Sequence, residues 1–222
     1  MYFNEEKFIR IIVTAGPTIE PIDPVRFISN RSTGVMGYKI AEEALARGHR
    51  VTLISGPVKI APPKAQKFIQ IETAEELLAA LKKEIKSSDC LIMSAAVSDF
   101  RPRKISAKKI KRNNKLSMVL LPNKDILREL TGLKKRNLFI GFSLETENMV
   151  NNSYHKLKNK NLDFIVANSV TKQHNPFGNN KLDVNIIGRN KEILKIRKKS
   201  KAFIAHVLLD KVEKLWYLRN NN

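Results

Sequence analysis

The chain has 222 residues, 42% of them hydrophobic, with nine glycines and nine prolines, enough apolar material for about one packed domain and too much for wholesale disorder. A single cysteine, Cys90, excludes an internal disulfide and suits a reducing compartment. The formal net charge of +20 leaves three readings open: a nucleic-acid polymer, a small polyanion, or lysines that are merely solvated.

Residues 1–7 show no basic stretch followed by an apolar one, and no later run approaches bilayer-spanning length, so a soluble, cytoplasmic protein is expected. Residues 9–14, IRIIVT, predict a strand. A helix is expected over 37–47, closed by Gly48, and a second strand over 50–55, stopped by Gly56-Pro57. Thr73 and Glu76 form a capping-box pattern opening a helix to about Lys86. Residues 90–97, CLIMSAAV, read as a third strand, apolar throughout as when helices cover both sheet faces. Cys90 inside that run is expected to be a buried structural thiol.

Residues 98–123 fit no period and predict a mobile arm, whose part 101–115 carries eight Lys or Arg and no acid. No aromatic residues interleave with that basic run, as base stacking on single strands would need. Helices are then expected near 124–131 and 149–160, and strands at 137–143 and 162–169. Residues 182–188 and 192–197 read as two strands joined by RNK, before a final helix from about Ser200 to Leu218. The fold class is α/β, a doubly wound, mostly parallel sheet with a small antiparallel addition and a flap at about 98–123, all in one domain of 1–222.

The first strand does not end in a standard dinucleotide fingerprint. TAGPT follows it, Gly34 and Gly37 come much later, and no acid follows the second strand to hold a ribose. A nicotinamide-dependent oxidoreductase therefore departs from the expected spacing, although a helix start here can still bind an anion. The insert between strand and helix brings Arg26, a planar fork for carboxylate or phosphate, and Asn30, which can donate and accept. Alone, the first reads as a surface arginine and the second as a turn asparagine.

Taken together, TAGPTIEPIDPVRFISNRSTGVMGYKIA (14–41), SAAVSDFRP (94–102), KIKR (109–112), NKDIL (123–127), GFSLETE (141–147), KLKNKNLDFIVAN (156–168) and NPFGNNKLDVNII (175–187) resemble the phosphopantothenate–cysteine ligase (phosphopantothenoylcysteine synthetase) family, in the family's order. With no flavin decarboxylase half ahead of these motifs, the resemblance suggests a stand-alone bacterial-type ligase. It implies a Rossmann-like fold, CTP as co-substrate with Mg²⁺, neither flavin nor NAD, and an acyl-cytidylate intermediate that L-cysteine resolves. ATP in place of CTP is the alternative within the class. The partners implied are phosphopantothenate, L-cysteine, CTP and a second copy of the chain in a homodimer with shared sites. A membrane is not expected, and a nucleic-acid partner is not needed to account for the charge.

By the same resemblance, Asn30 holds the acyl carbonyl, Lys109 reaches the nucleotide phosphates from the flap, and Arg26 binds phosphopantothenate from the mate. Gly16, Ser32, Gly34 and Gly37 would cradle phosphates, and Ser94, Ala95, Ala96 and Asp99 would line the junction of the two substrates. Phe142 with Lys124, Asp125, Ile126 and Leu127 would border the base. Lys156 and Lys160, at i and i+4, would form one electropositive ridge, and Asn168 is carried over as a further nucleotide contact. Two departures stand out: Lys124 replaces the family's proline beside the base, and Leu144 takes a position that is commonly alanine. The four histidines show no metal-ligand spacing, and the metal ligands are unassigned.

Overall fold

The computed structural model describes residues 8–112, 115–170, 176–177 and 181–221. Its strands are β1 (Arg10–Ala15), β2 (Ile19–Pro21), β3 (Phe27–Ser29), β4 (Arg50–Ser55), β5 (Lys67–Gln70), β6 (Cys90–Met93), β7 (Phe100–Pro102), β8 (Leu120–Pro122), β9 (Leu138–Glu145), β10 (Phe164–Ser169), β11 (Leu182–Gly188) and β12 (Ile193–Lys199). The helices are α1 (Val35–Ala46), α2 (Ala74–Glu84), α3 (Ile126–Leu130), α4 (Met149–Asn159) and α5 (Lys201–Asn220).

Eight strands form one sheet in the order β12-β11-β10-β9-β6-β1-β4-β5. The six from β10 to β5 are parallel, while β11 and β12 add antiparallel at the β10 edge. The parallel part, read from the far side as β5-β4-β1-β6-β9-β10, is the doubly wound order, Rossmann-like as expected. Strand alternation sorts the core into two layers. Ile11, Val13, Leu53, Ile92, Ile140 and Phe164 pack beneath α1 and α5. Ile12, Ile54, Leu91, Phe139 and Ile165 pack on the other side with residues of α2, α3 and α4.

Local chemistry explains several boundaries. Thr73 accepts from the Glu76 amide at 3.2 Å, while the Glu76 carboxylate reaches back to the Glu72 amide at 2.7 Å. The helix expected at 37 begins at Val35, because Gly34 takes the left-handed conformation before it. β6, the third strand of the sequence reading, ends at Met93, four residues short of the expected 97, because the small residues after it turn toward the chain leaving β1. Pro17 and Ala96 form an isolated bridge there.

Three features were absent from the sequence reading: the edge strand β5, the β2–β3 ribbon within the insert, and the β7–β8 ribbon within the arm. The arm is thus partly ordered secondary structure. No helix among the described residues is long and apolar enough to cross a membrane. Cys90 is fully buried, and burial pushes its thiol well above the ordinary range, as a structural thiol requires.

Candidate active site

In doubly wound sheets the ligand crevice opens beyond the carboxyl ends of the strands, where the order reverses. Here that point lies between β1 and β6, and a cavity of about 670 Å³ occupies it. Its walls come from the β3–α1 segment, the turn after β6, the ends of β9 and β10, and the start of α5.

The start of α1 is shaped for an anion. Gly34 adopts φ 76°, and a side chain there would press a Cβ to 2.6 Å from Val58. Among the described residues no side chain caps this helix and no acid lies in its first turn, so the amides of Val35, Met36 and Gly37, residues that line the cavity, have no side-chain competitor. Ser32 steadies the turn by accepting from the Gly34 amide at 3.3 Å. Gly37 lets α1 sit on β1, since a Cβ there would fall 2.6 Å from that of Ala15.

The opposite wall is pinned by hydroxyls and backbone. Thr14 accepts from the Ala95 amide at 3.0 Å, and Thr18 accepts from the Ser98 amide at 2.9 Å. The Ala96 amide donates to the Gly16 carbonyl at 2.9 Å. The Asn30 amide nitrogen then donates across the cavity base to the carbonyls of Ala96 at 3.2 Å and Val97 at 2.9 Å. Both donor hydrogens of Asn30 are therefore engaged, and among the described residues its side-chain oxygen has no donor.

Asn30, Ser32, Gly34, Gly37, Ser94, Ala95, Ala96, Asp99, Phe142, Lys156, Lys160 and Asn168 all line this one cavity. Other residues of the expected set lie elsewhere. Gly16, at φ 72°, is not among the lining residues but lies against Gly34, whose added Cβ would come 3.4 Å from the Gly16 nitrogen. Ile126 and Leu127 are buried and turn into the core beneath the sheet. Lys124 lines a separate cavity of about 240 Å³ with Arg101 and Asn123. Asp125 caps α3 by accepting from the Arg128 amide at 3.3 Å.

The ridge expected of Lys156 and Lys160 is present but compensated. Lys156 pairs with Glu145 at 2.6 Å and Lys160 with Asp125 at 3.0 Å. Asn168 accepts from the Ser169 amide at 2.8 Å, a contact with its own neighbour at the end of β10. Leu144, 42% exposed, stands on the rim and narrows the mouth that a smaller residue would widen.

Arg26 and Lys109 lie outside the cavity, joined by the arm. Arg26 donates through Nε to Asp23 at 3.0 Å, pairs with it again through its terminal nitrogen, and donates to the Ile110 carbonyl at 2.8 Å. Asp23 in turn accepts from the Ile110 amide at 3.1 Å, so the arm docks on the β2–β3 turn beside exposed Lys109. The Arg26 guanidinium, helped by the amides of Val25, Ile110 and Arg26, holds the Asp23 carboxyl far below the usual carboxylate range. His174, Asn175 and residues 178–180 of the last motif lie outside the described residues.

Phe177, inside the motif NPFGNNKLDVNII, and Lys201 are among the wall residues to which the sequence reading gave no role. Nothing in their local pattern set them apart: Phe177 sits in a turn-rich stretch, and Lys201 follows a helix cap in a basic tail.

A family model described as the DNA/pantothenate metabolism flavoprotein C-terminal domain matches residues 7–215. A curated protein named cysteine/cysteine sulfinic acid decarboxylase, from an unknown prokaryotic organism, is 42% identical over 206 residues, covering 91% of this chain and 57% of its own length. The coenzyme A biosynthesis bifunctional protein CoaBC of Bacillus subtilis is 42% identical over 179 residues, covering 80% of this chain and 43% of its own. The chain thus spans about half the length of the curated relatives it matches. A solved structure of the C-terminal domain of a CoaBC protein superposes with a TM-score of 0.79 at 34% identity, covering 93% of this chain and 95% of that one. On the matched family model and this structural agreement along nearly its whole length, the chain belongs to the DNA/pantothenate metabolism flavoprotein C-terminal domain family.

Proposed function

We propose that this chain is a ligase that joins phosphopantothenate to L-cysteine through an acyl-cytidylate, in coenzyme A biosynthesis and in the cytoplasm. The observation that carries the reading is convergence: an uncapped helix start, small residues after β6, Asn30, Lys156 of α4 and Lys160 just past its end meet in one cavity at the switch point. The relatives named for coenzyme A biosynthesis support the same pathway.

The chemistry has two steps. The substrate carboxylate attacks the α-phosphorus of CTP, forming the mixed anhydride and releasing pyrophosphate. The cysteine amine then attacks the acyl carbon, the acyl–oxygen bond to CMP breaks, and the amine gives up a proton as the amide forms. Bringing several anions together requires fixed positive potential and positioning more than covalent help. The start of α1 supplies the first, and the pinned wall at Ala95–Val97 supplies the second. With its donors on that wall, Asn30 acts first by holding the wall, and meets the acyl group by exchanging one of those bonds.

Mg²⁺ fits this site as part of the nucleotide. Among the described residues no group of three or more His, Cys, Asp or Glu could hold a metal, and Asp99 is the acid in the cavity wall. A magnesium ion keeps most of its waters and takes phosphate oxygens with one or two carboxylates, for which Asp99 suffices.

A homodimer with shared sites completes the proposal. Val25, Phe27, Phe100, Ile105, Val119 and Leu120, all on the two ribbons and the arm, are each at least 43% exposed. Such a grouped apolar surface suits a mate. The test of the function is pyrophosphate release with phosphopantothenate and Mg²⁺, comparing CTP with ATP. Release that needs phosphopantothenate and is faster with CTP is expected. Faster release with ATP corrects the nucleotide, and no release with either overturns the reading.

A further inference from the structure

Arg31 stands in the wall of the main cavity, one residue after Asn30 and three before Gly34. The chain on both sides of it is fastened. Ser29, at the end of β3, donates through its hydroxyl to the Thr18 carbonyl at 2.8 Å. The Asn30 side chain donates to the carbonyls of Ala96 and Val97, and Ser32 accepts from the Gly34 amide at 3.3 Å. The backbone of Arg31 is therefore set at the cavity edge before any ligand arrives. Arg31 itself is exposed, and among the described residues no carboxylate or carbonyl engages its guanidinium.

The other described cations of the wall differ. Lys156 pairs with Glu145 at 2.6 Å, Lys160 pairs with Asp125 at 3.0 Å, and Lys201 is 7% exposed and already engaged. An arginine that stays in water keeps its whole fork of donors for a ligand. On an open surface such an arginine has no consequence; here its position gives it one. Three peptide units separate Arg31 from Gly34, at most about 10 Å of chain, so its guanidinium can reach an anion at the start of α1. On its other side is Asn30, which meets the acyl group in the proposed chemistry. Arg31 thus lies between the phosphates and the carboxylate that must react, not at the far end of the triphosphate.

We propose that Arg31 is a further catalytic residue of the first step, its guanidinium closing on the α-phosphate of the nucleotide seated on the start of α1. The proposal rests on the ligase reading above and adds a group to it. A carboxylate oxygen of the acid bonds to the α-phosphorus, and the bond from that phosphorus to the bridging oxygen of pyrophosphate breaks. The bonding pair leaves with pyrophosphate, and no proton moves. Negative charge crowds the α-phosphate oxygens as the two anions approach. A planar cation there lowers the barrier more than it tightens the ground state.

The test is rapid-quench measurement of pyrophosphate release in a single turnover, with phosphopantothenate, Mg²⁺ and CTP (or ATP where the parent prefers it), and without cysteine. The parent, Arg31→Met and Arg31→Lys are compared, with calorimetric titration of the same nucleotide and thermal melts beside them. Arg31→Met should release pyrophosphate about a hundredfold more slowly. Its nucleotide affinity should stay within about threefold of the parent's, and its melting temperature should not change. Arg31→Lys, which keeps the charge but not the fork, should fall between the two. Parental release by Arg31→Met overturns the proposal alone. So does a loss of nucleotide affinity as large as the loss of rate, which makes Arg31 a ground-state contact. A defect that appears only when cysteine is added also overturns it, by moving Arg31 to the second step. If Arg31→Met does not fold, Arg31→Gln is read against the same outcomes. A parent that releases no pyrophosphate with CTP or ATP overturns the ligase reading and this contact with it.

Discussion

Asn30 shows how a side chain can be well placed and still hold less freedom than its chemistry allows. Its two N–H groups are spent on the carbonyls of Ala96 and Val97, 3.2 and 2.9 Å away. Asn30→Asp replaces those donors with a carboxylate facing two carbonyl oxygens and also repels any oxyanion formed nearby. The expected outcome is a loss of amide formation of about a hundredfold, with acyl-cytidylate accumulating because the second step suffers more. Quenched-flow analysis with cysteine present checks this. Amide formation at the parental rate removes Asn30 from the mechanism.

At the scale of elements, the arm's basic run is tethered rather than free. Asp23 binds Arg26 and the Ile110 amide together, which fixes Lys109 at the β2–β3 turn, outside the main cavity. For Lys109 to meet a nucleotide as proposed, the arm has to leave this dock or serve the site of a mate. Asp23→Asn should lower the hydrogen-exchange protection of the Ile110 amide by about tenfold, the loss of one charge-assisted bond. The sign of its pH dependence follows from the depressed Asp23 pKa. The dock's contribution is complete above the unfolded carboxylate pKa of about 3.9 and fades as pH falls through the lower folded value. Protection corrected for intrinsic exchange should therefore be level from about pH 5 to 8. A steady decline toward pH 8 would show that another group holds the arm. Lys109→Gln should abolish nucleotide turnover with the melting temperature unchanged, since an exposed lysine contributes little to stability. Equal losses in both would make Lys109 structural.

The same scale shows what the residues disclose before folding. The strands Arg50–Ser55 and Leu182–Gly188 match the sequence reading to the residue, because each is an apolar run closed by a glycine or a polar turn. Lys67–Gln70 was missed because its burial is shallow, with Phe68 42% exposed, and no helix marks the crossover from β4. The ribbons were missed because Pro21, Pro102 and Pro122 lie inside them, which ordinary strand reading counts against pairing. Motif residues beside strand ends or the start of α1 converge on one cavity, since the sheet alone positions them. Arg26, Lys109 and Lys124 depend on how ribbons and arm dock, which no local pattern encodes. Lys201 reads as one more solvated lysine until α5 is seen to start inside the wall.

For the whole molecule, the charge of +20 divides into parts with different work. Lys195, Lys198 and Lys199 stand exposed on β12, the edge of the sheet, where charge discourages pairing with another chain. The arm's cations instead flank the apolar ribbons proposed as the dimer contact. The three residues of β3 separate Arg26 from Asn30, about 13 Å of extended chain. Arg26→Ala and Asn30→Ala proteins, each inactive, should complement after subunit exchange, with about half of the sites in mixed dimers restored. Confirmed exchange with activity no higher than either variant alone would place both residues in one site of one subunit. The central claim, attack of a carboxylate on the α-phosphorus, is tested most directly by oxygen transfer. With phosphopantothenate carrying ¹⁸O in its carboxylate and CTP unlabelled, one ¹⁸O should appear in CMP for each amide formed. Label found instead in inorganic phosphate would mean attack at the terminal phosphorus and an acyl phosphate, and would contradict the account.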